Sequence, residues 1–137
     1  MKNKRLKKFI IPSGIVIIIL ISYIIFTYLP KHLGRICNFT VSKETRLECI
    51  NGNNGKKMII SNIDEIQKIF GILEKTTVAR QLDQRPRGGY TYALTKYEGN
   101  KAIFSIIIMN DTIKVNNVYY KAGADLAADL KNSGIIN

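Results

Sequence analysis

From Phe9 to Leu29 the chain carries no charged residue, and five cations (Lys2, Lys4, Arg5, Lys7 and Lys8) stand before that run. No other feature constrains the fold so tightly. At 1.5 Å per residue, the run makes a helix of about 32 Å, enough to cross a hydrocarbon core. A secretory signal has a shorter apolar region, of about 7–15 residues, followed by a small-residue cleavage site. Here the first alanine is Ala79, and Cys37 follows Arg35 and Ile36 rather than the small residues that lipid attachment requires. The run therefore reads as a retained anchor. Residues 1–8 form a cytoplasmic basic tail, 9–29 a single transmembrane helix, 30–36 a linker and 37–137 an extracytoplasmic domain. The cation-rich side marks the cytoplasm, Tyr23 and Tyr28 fall toward the exit, and Pro30 ends the helix. The expected location is the cell membrane, crossed once.

Beyond residue 30 there remain 16 cations against 10 acids, a net +6 on one small domain. A surface of that charge can meet an anionic wall polymer, anionic lipid or only water. Nucleic acid is not an expected partner. Arg80, Arg85 and Arg87 crowd the stretch TTVARQLDQRPRGGY, which breaks the surrounding periodicity and reads as an exposed basic loop. These three arginines are the candidate anion-binding residues, because guanidinium forks suit carboxylate and phosphate.

Catalytic residues are not apparent. His32 is the only histidine, and it falls in the linker, where no shaped pocket would pair it with Cys37. Asp64 and Glu65 sit where a helix dipole favours anions. Asp125 and Asp129 share a helix face but lack a third ligand, so neither metal nor cofactor is expected. Cys37 and Cys49 suit a disulfide instead. If CNFTV and RLEC are antiparallel strands turning at Ser42-Lys43-Glu44, the two cysteines fall opposite one another on the oxidising side.

The remaining pattern is α+β. In SNIDEIQKIFGILEK the residues Ile63, Ile66, Ile69, Phe70 and Leu73 form one helical stripe, and Asn62 with Glu65 resembles a capping box. The spacing predicts a main helix over 62–75. A meander follows in GYTYALTKYEGN, KAIFSIIIMND, TIKVNN and VYYK, with turns at Asn110-Asp111 and Asn116-Asn117. Those turns pair Val115 with Val118, Ile113 with Tyr120 and Met109 with Thr112. Phe104, Ile106, Ile108, Ile113, Val115, Val118 and Tyr120 then share a face. A three-residue loop at Glu98-Gly99-Asn100 adds Tyr90, Tyr92 and Leu94 to it. GADLAADLKN closes the chain as a short C-terminal helix. The order β-β-β-α-β-β-β-β-α predicts an antiparallel sheet packed on the main helix.

A membrane anchor, a strand run ending in MIISNIDEIQKIF and a Tyr-rich meander together resemble small, uncharacterised membrane-anchored surface domains of Gram-positive bacteria. The resemblance spans roughly residues 36–131, is one of layout, and implies an envelope location. The expected function is a non-enzymatic module that binds or scaffolds a protein or an anionic envelope component. The alternative is an accessory, immunity or signalling protein acting through another membrane protein. The absence of G-x-x-x-G from the span weighs against that alternative.

Overall fold

The computed structural model describes residues 3–136, with side chains described from Gly14 onward. Helix α1 (Asn3–Tyr28) leads into the domain. The cations of the tail and residues 9–13 of the expected span lie outside the described side chains. Among the described residues no helix is long and apolar enough to cross a membrane. The described side chains of α1 run only from Gly14 to Tyr28, short of the roughly 20 residues that a span needs.

The domain is α+β. Its strands are β1 (Lys31–His32), β2 (Thr45–Asn51), β3 (Lys57–Ile60), β4 (Thr77–Arg80), β5 (Tyr92–Glu98), β6 (Lys101–Met109), β7 (Thr112–Val115) and β8 (Val118–Ala122). Two further helices are α2 (Ile63–Lys75) and α3 (Leu126–Asn132). Among the described residues these eight strands make one sheet in the order β1-β4-β8-β7-β6-β5-β2-β3, every ladder antiparallel.

Helix α2 begins where expected. The Asn62 side chain accepts a hydrogen bond from the Asp64 N–H at 3.0 Å, satisfying an otherwise orphaned donor. Its stripe of Ile66, Ile69, Phe70 and Leu73 is buried against the sheet, whereas Ile63, in the first turn, is 38% exposed. Burying those four side chains contributes roughly 6–12 kcal/mol before entropy is counted. α3 is capped by Asp125, which accepts from the Ala128 N–H at 3.1 Å, and it buries Leu126 and Leu130 in the same core.

The meander has the expected registers: Val115 with Val118, Ile113 with Tyr120, and Met109 with Thr112. Asn116 and Asn117 both take left-handed backbone, φ 47° and 85°, which asparagine tolerates better than most residues. Between β5 and β6, Tyr92 and Leu94 join the core face as expected, but Tyr90 precedes the strand and is 39% exposed, and the turn also differs. Glu98 pairs with Lys101 around Gly99-Asn100, and a bulge beside Lys96 shifts the ladder so that Leu94 meets Ile106. The extra bulge residue restores the even parity that keeps Phe104 on the core side.

Three expectations are corrected. CNFTV is not a strand; β2 has β3 on one side and β5 on the other, and Cys49 faces Met58 and Leu94. Residues 30–36 are not a slack linker, because Lys31 and His32 pair with β4, and a single 3-10 turn buries Leu33 completely. Thr77–Arg80 is a strand rather than loop, joined to β8 and burying Val78. Both additions sit at the sheet's edge, where pairing depends on chain far away in sequence.

Residues 37–44 instead form a strap across one end of the core. Phe39 packs on Phe70 and Phe104, with ring centroids 5.1 and 5.3 Å away. Beneath it Lys96, 2% exposed, points into the core face from β5. Its ammonium donates to the carbonyls of Thr40 (2.6 Å) and Asn38 (3.3 Å), lies 3.1 Å from Glu98 Oε1, and stands 5.9 Å from the Phe70 ring centroid. Glu98 also accepts from Thr45 Oγ1 at 2.7 Å and from Ser42 Oγ. Replacing Lys96 with Met keeps the stem but withdraws the donor from two carbonyls and a carboxylate. We expect a loss of about 2–3 kcal/mol in the free energy of urea unfolding, and a smaller loss where Glu98→Gln is already present. The Ser42 and Thr45 hydroxyls, with Lys96, hold the Glu98 carboxyl below its ordinary range. Its stabilisation is therefore complete above the ordinary glutamate pKa of about 4.3 and is lost as pH falls through the lowered value. Unfolding midpoints should drop on acidification, and the Glu98→Gln variant should show a shallower drop.

Candidate functional site

The cysteines do not meet as hairpin partners. Cys37 lies in the strap and Cys49 in β2, both buried as free thiols. Burial pushes each thiol up to about 11. Neither is a thiolate at neutral pH, so neither is poised as a nucleophile. His32 is exposed, and its Nδ1 lies 3.2 Å from the Lys75 carbonyl oxygen at the end of α2.

The three arginines of the expected basic loop have separate fates. Arg85 forks onto Asp83 through Nε to Oδ1 (2.9 Å) and Nη2 to Oδ2 (2.8 Å), while its backbone N–H donates to the same carboxylate at 3.1 Å. Those Arg85 hydrogen bonds hold the Asp83 carboxyl well below the usual carboxylate range. Arg87 is folded inward. Its N–H donates to the Tyr119 hydroxyl at 3.2 Å, its guanidinium lies 5.6 Å from the Tyr119 ring centroid, and Nη1 reaches Thr112 Oγ1 at 3.4 Å. Arg80 ends β4, exposed, and has no carboxylate partner among the described residues.

Gln84 fastens the loop to the sheet. Its amide accepts from the Tyr119 N–H at 2.8 Å and donates to the Tyr119 carbonyl at 3.0 Å, continuing the β8 ladder where β4 has ended. A side-chain amide offers the same donor and acceptor as a peptide group, so it can stand in for one residue of a strand. The loop thus lies against the outer face of the sheet, with Arg85 and Arg87 largely occupied.

A cleft of about 800 Å³ opens where the β2–β3 hairpin, the β6–β7 turn and the start of α3 come together. Its rim comes from Asn51 and Asn53 of the β2–β3 hairpin, Thr91 before β5, and Asn110 and Asp111 of the β6–β7 turn. Asp125, Ala127, Ala128 and Lys131 close the other side. Gly52 allows the hairpin wall to stand this close. A Cβ there would fall 1.8 Å from the Tyr90 carbonyl oxygen, where the Gly52 N–H now donates to the neighbouring Thr91 carbonyl at 2.8 Å. The cleft offers amides and a hydroxyl, two aspartates and one lysine, over a floor of Tyr92 and alanines. That lining suits hydroxyl, amide or ammonium groups better than anions. Among the described residues no group of three or more His, Cys, Asp or Glu side chains gathers to hold a metal ion.

Sequence reasoning passed over the cleft, Gln84 and Lys96. Lys96 was within reach, since it shares the parity of Tyr92 and Leu94. The cleft had no local signal, because its rim comes from separate turns. Comparison with protein-family models, curated proteins and solved structures returns no match.

Two thiols per chain should titrate in urea without any reductant, and labelling of the native protein near neutral pH should be slower by at least about tenfold. Fewer than two thiols in urea would restore the disulfide. The native rate should climb with pH toward the raised pKa.

Proposed function

We propose that this chain is a single-pass membrane protein, anchored through residues 9–29 with its N-terminus in the cytoplasm, whose outer domain is a binding module rather than an enzyme. The exposure of α1 is the observation that carries the reading. Every residue from Ile15 to Leu20 is at least 55% exposed, and Phe26 is 77% exposed. Six consecutive positions cover all sides of a helix, so the domain shields none of them. An apolar surface of that extent is stable in lipid and not in water. The uncharged run back to Phe9 and the five preceding cations supply the length and the orientation.

Binding is assigned to the cleft between Asn53, Asp111 and Asp125. Its carboxylates favour a hydroxyl- and amide-bearing ligand that is neutral or cationic, such as a glycan–peptide segment of a cell wall. The anionic ligand suggested by overall charge finds little support here, because Asp111 and Asp125 outnumber Lys131 and the loop arginines Arg85 and Arg87 have partners of their own. A non-enzymatic reading is supported by the protonated, buried thiols and by the tethered His32 ring.

Membrane-fraction protein should resist alkaline extraction and begin at the initiator end of the chain. A mature chain starting after Leu20, or release by alkali, would refute the anchor. Full-length protein in lipid nanodiscs should bind soluble glycan–peptide fragments more tightly than an anionic polyphosphate polymer. Asn53→Ala with Asp111→Asn should weaken that binding by about tenfold, the equivalent of roughly 1.4 kcal/mol. Unchanged affinity in the double variant would move the site out of the cleft.

A further inference from the structure

We propose that the outer domain lies down on the bilayer, with the loop after β4 seated in the headgroup layer of anionic lipid and Leu82 inserted beneath it. This inference rests on the reading of 9–29 as an anchor and adds a second membrane contact, made by the domain itself.

The first support is the lack of slack. Leu33 is fully buried only four residues beyond Leu29, and a chain of four residues spans at most about 14 Å. The domain therefore cannot stand away from the surface on a flexible stalk. The second is direction. In the antiparallel register Lys31 faces Val78 and His32 faces Thr77, so the chain before Lys31 runs toward the Ala79–Arg80 end of β4. The C-terminal end of α1 lies against the same strand. The loop that leaves β4 thus emerges beside the point where the helix would leave the bilayer.

The third support is what that loop presents. Leu82 is 82% exposed, the most exposed large apolar side chain among the described residues. Arg80 precedes it, exposed and without a carboxylate partner among those residues. Lys121 faces Ala79 across the β4–β8 ladder, and Lys31 holds its ammonium 5.8 Å from the Phe26 ring centroid, back toward the end of α1. The acid nearest in sequence, Asp83, is occupied by Arg85. An exposed leucine beside Arg80, on the side where the chain enters from α1, gains from burial in an apolar layer. It suits a surface with negative headgroups above hydrocarbon, where each nearby Lys or Arg contributes about 1 kcal/mol. A soluble anionic polymer would engage the cations but give Leu82 nothing to bury against.

The chain contains no tryptophan, so single-tryptophan variants report one position each. Full-length Leu82→Trp, Ile18→Trp and Ile59→Trp would be reconstituted in vesicles of phosphatidylcholine and phosphatidylglycerol carrying a nitroxide-labelled lipid. Shallow labels should quench the Leu82→Trp variant by roughly twofold or more, and deep labels should quench Ile18→Trp. The Ile59→Trp variant, which reports the far edge strand, should respond to neither. Replacing phosphatidylglycerol with phosphatidylcholine should weaken the quenching of Leu82→Trp. Quenching in Ile18→Trp without quenching in Leu82→Trp overturns the docking and leaves the anchor standing. An unquenched Ile18→Trp variant overturns the anchor. Equal quenching in Leu82→Trp and Ile59→Trp overturns the stated orientation.

Discussion

The ammonium of Lys96 is buried on the core side of an apolar sheet, and such a charge persists only where oxygen atoms surround it. The strap supplies two of them, from Asn38 and Thr40, and Glu98 supplies a third. The strap cannot take another course without stranding that charge, nor can Lys96 be reached unless Phe39 is seated between Phe70 and Phe104. One cation therefore ties the segment beyond the 3-10 turn to β5 and, through Phe70, to the middle of α2. Because Ser42 and Thr45 also converge on Glu98, the start of β2 is drawn into the same cluster. Lone burial of any member would be costly, and joint burial selects one arrangement over others.

Closure of the sheet's two ends follows different rules. On one side β1 is only two residues long and is followed at once by a buried turn, so it offers little backbone for another chain to pair with. On the other, β3 carries Lys57, held 2.9 Å from Glu48 of β2, and a cation on an edge strand discourages further pairing. Gln84 serves a related purpose inside the sheet, where its amide finishes the β8 ladder beyond the last residue of β4. The strand order places both chain entry and the basic loop at the β1–β4 edge, while the cleft opens where the hairpin and the meander turn.

Net charge alone did not reveal which cations of the loop after β4 have partners of their own. Arg85 and Arg87 look free in the sequence because Asp83 is only one acid among several cations. In three dimensions that carboxylate takes the Arg85 fork, and the Tyr119 ring and hydroxyl receive Arg87. Net charge constrains what a surface can attract at long range, but which cations remain available depends on side-chain geometry.

Residues acting on near neighbours were legible from the sequence alone. The stripe of α2, its Asn62 cap, the apolar run of α1 and the Asn116-Asn117 turn with its registers all depend on contacts a few positions apart, where periodicity and backbone preference decide. The parity of β5 and β6 was legible for the same reason, although the bulge beside Lys96 was not. Tertiary structure alone decided the rest. β1 and β4 are too short to declare themselves and exist because β8 leaves an edge open to them. Cys37 and Cys49 fit a hairpin on spacing, but β2 already had two better partners in β3 and β5. The cleft joins turns separated by dozens of residues. In each case the deciding partner is remote in the chain, and no local pattern encodes which remote surface will be left unpaired.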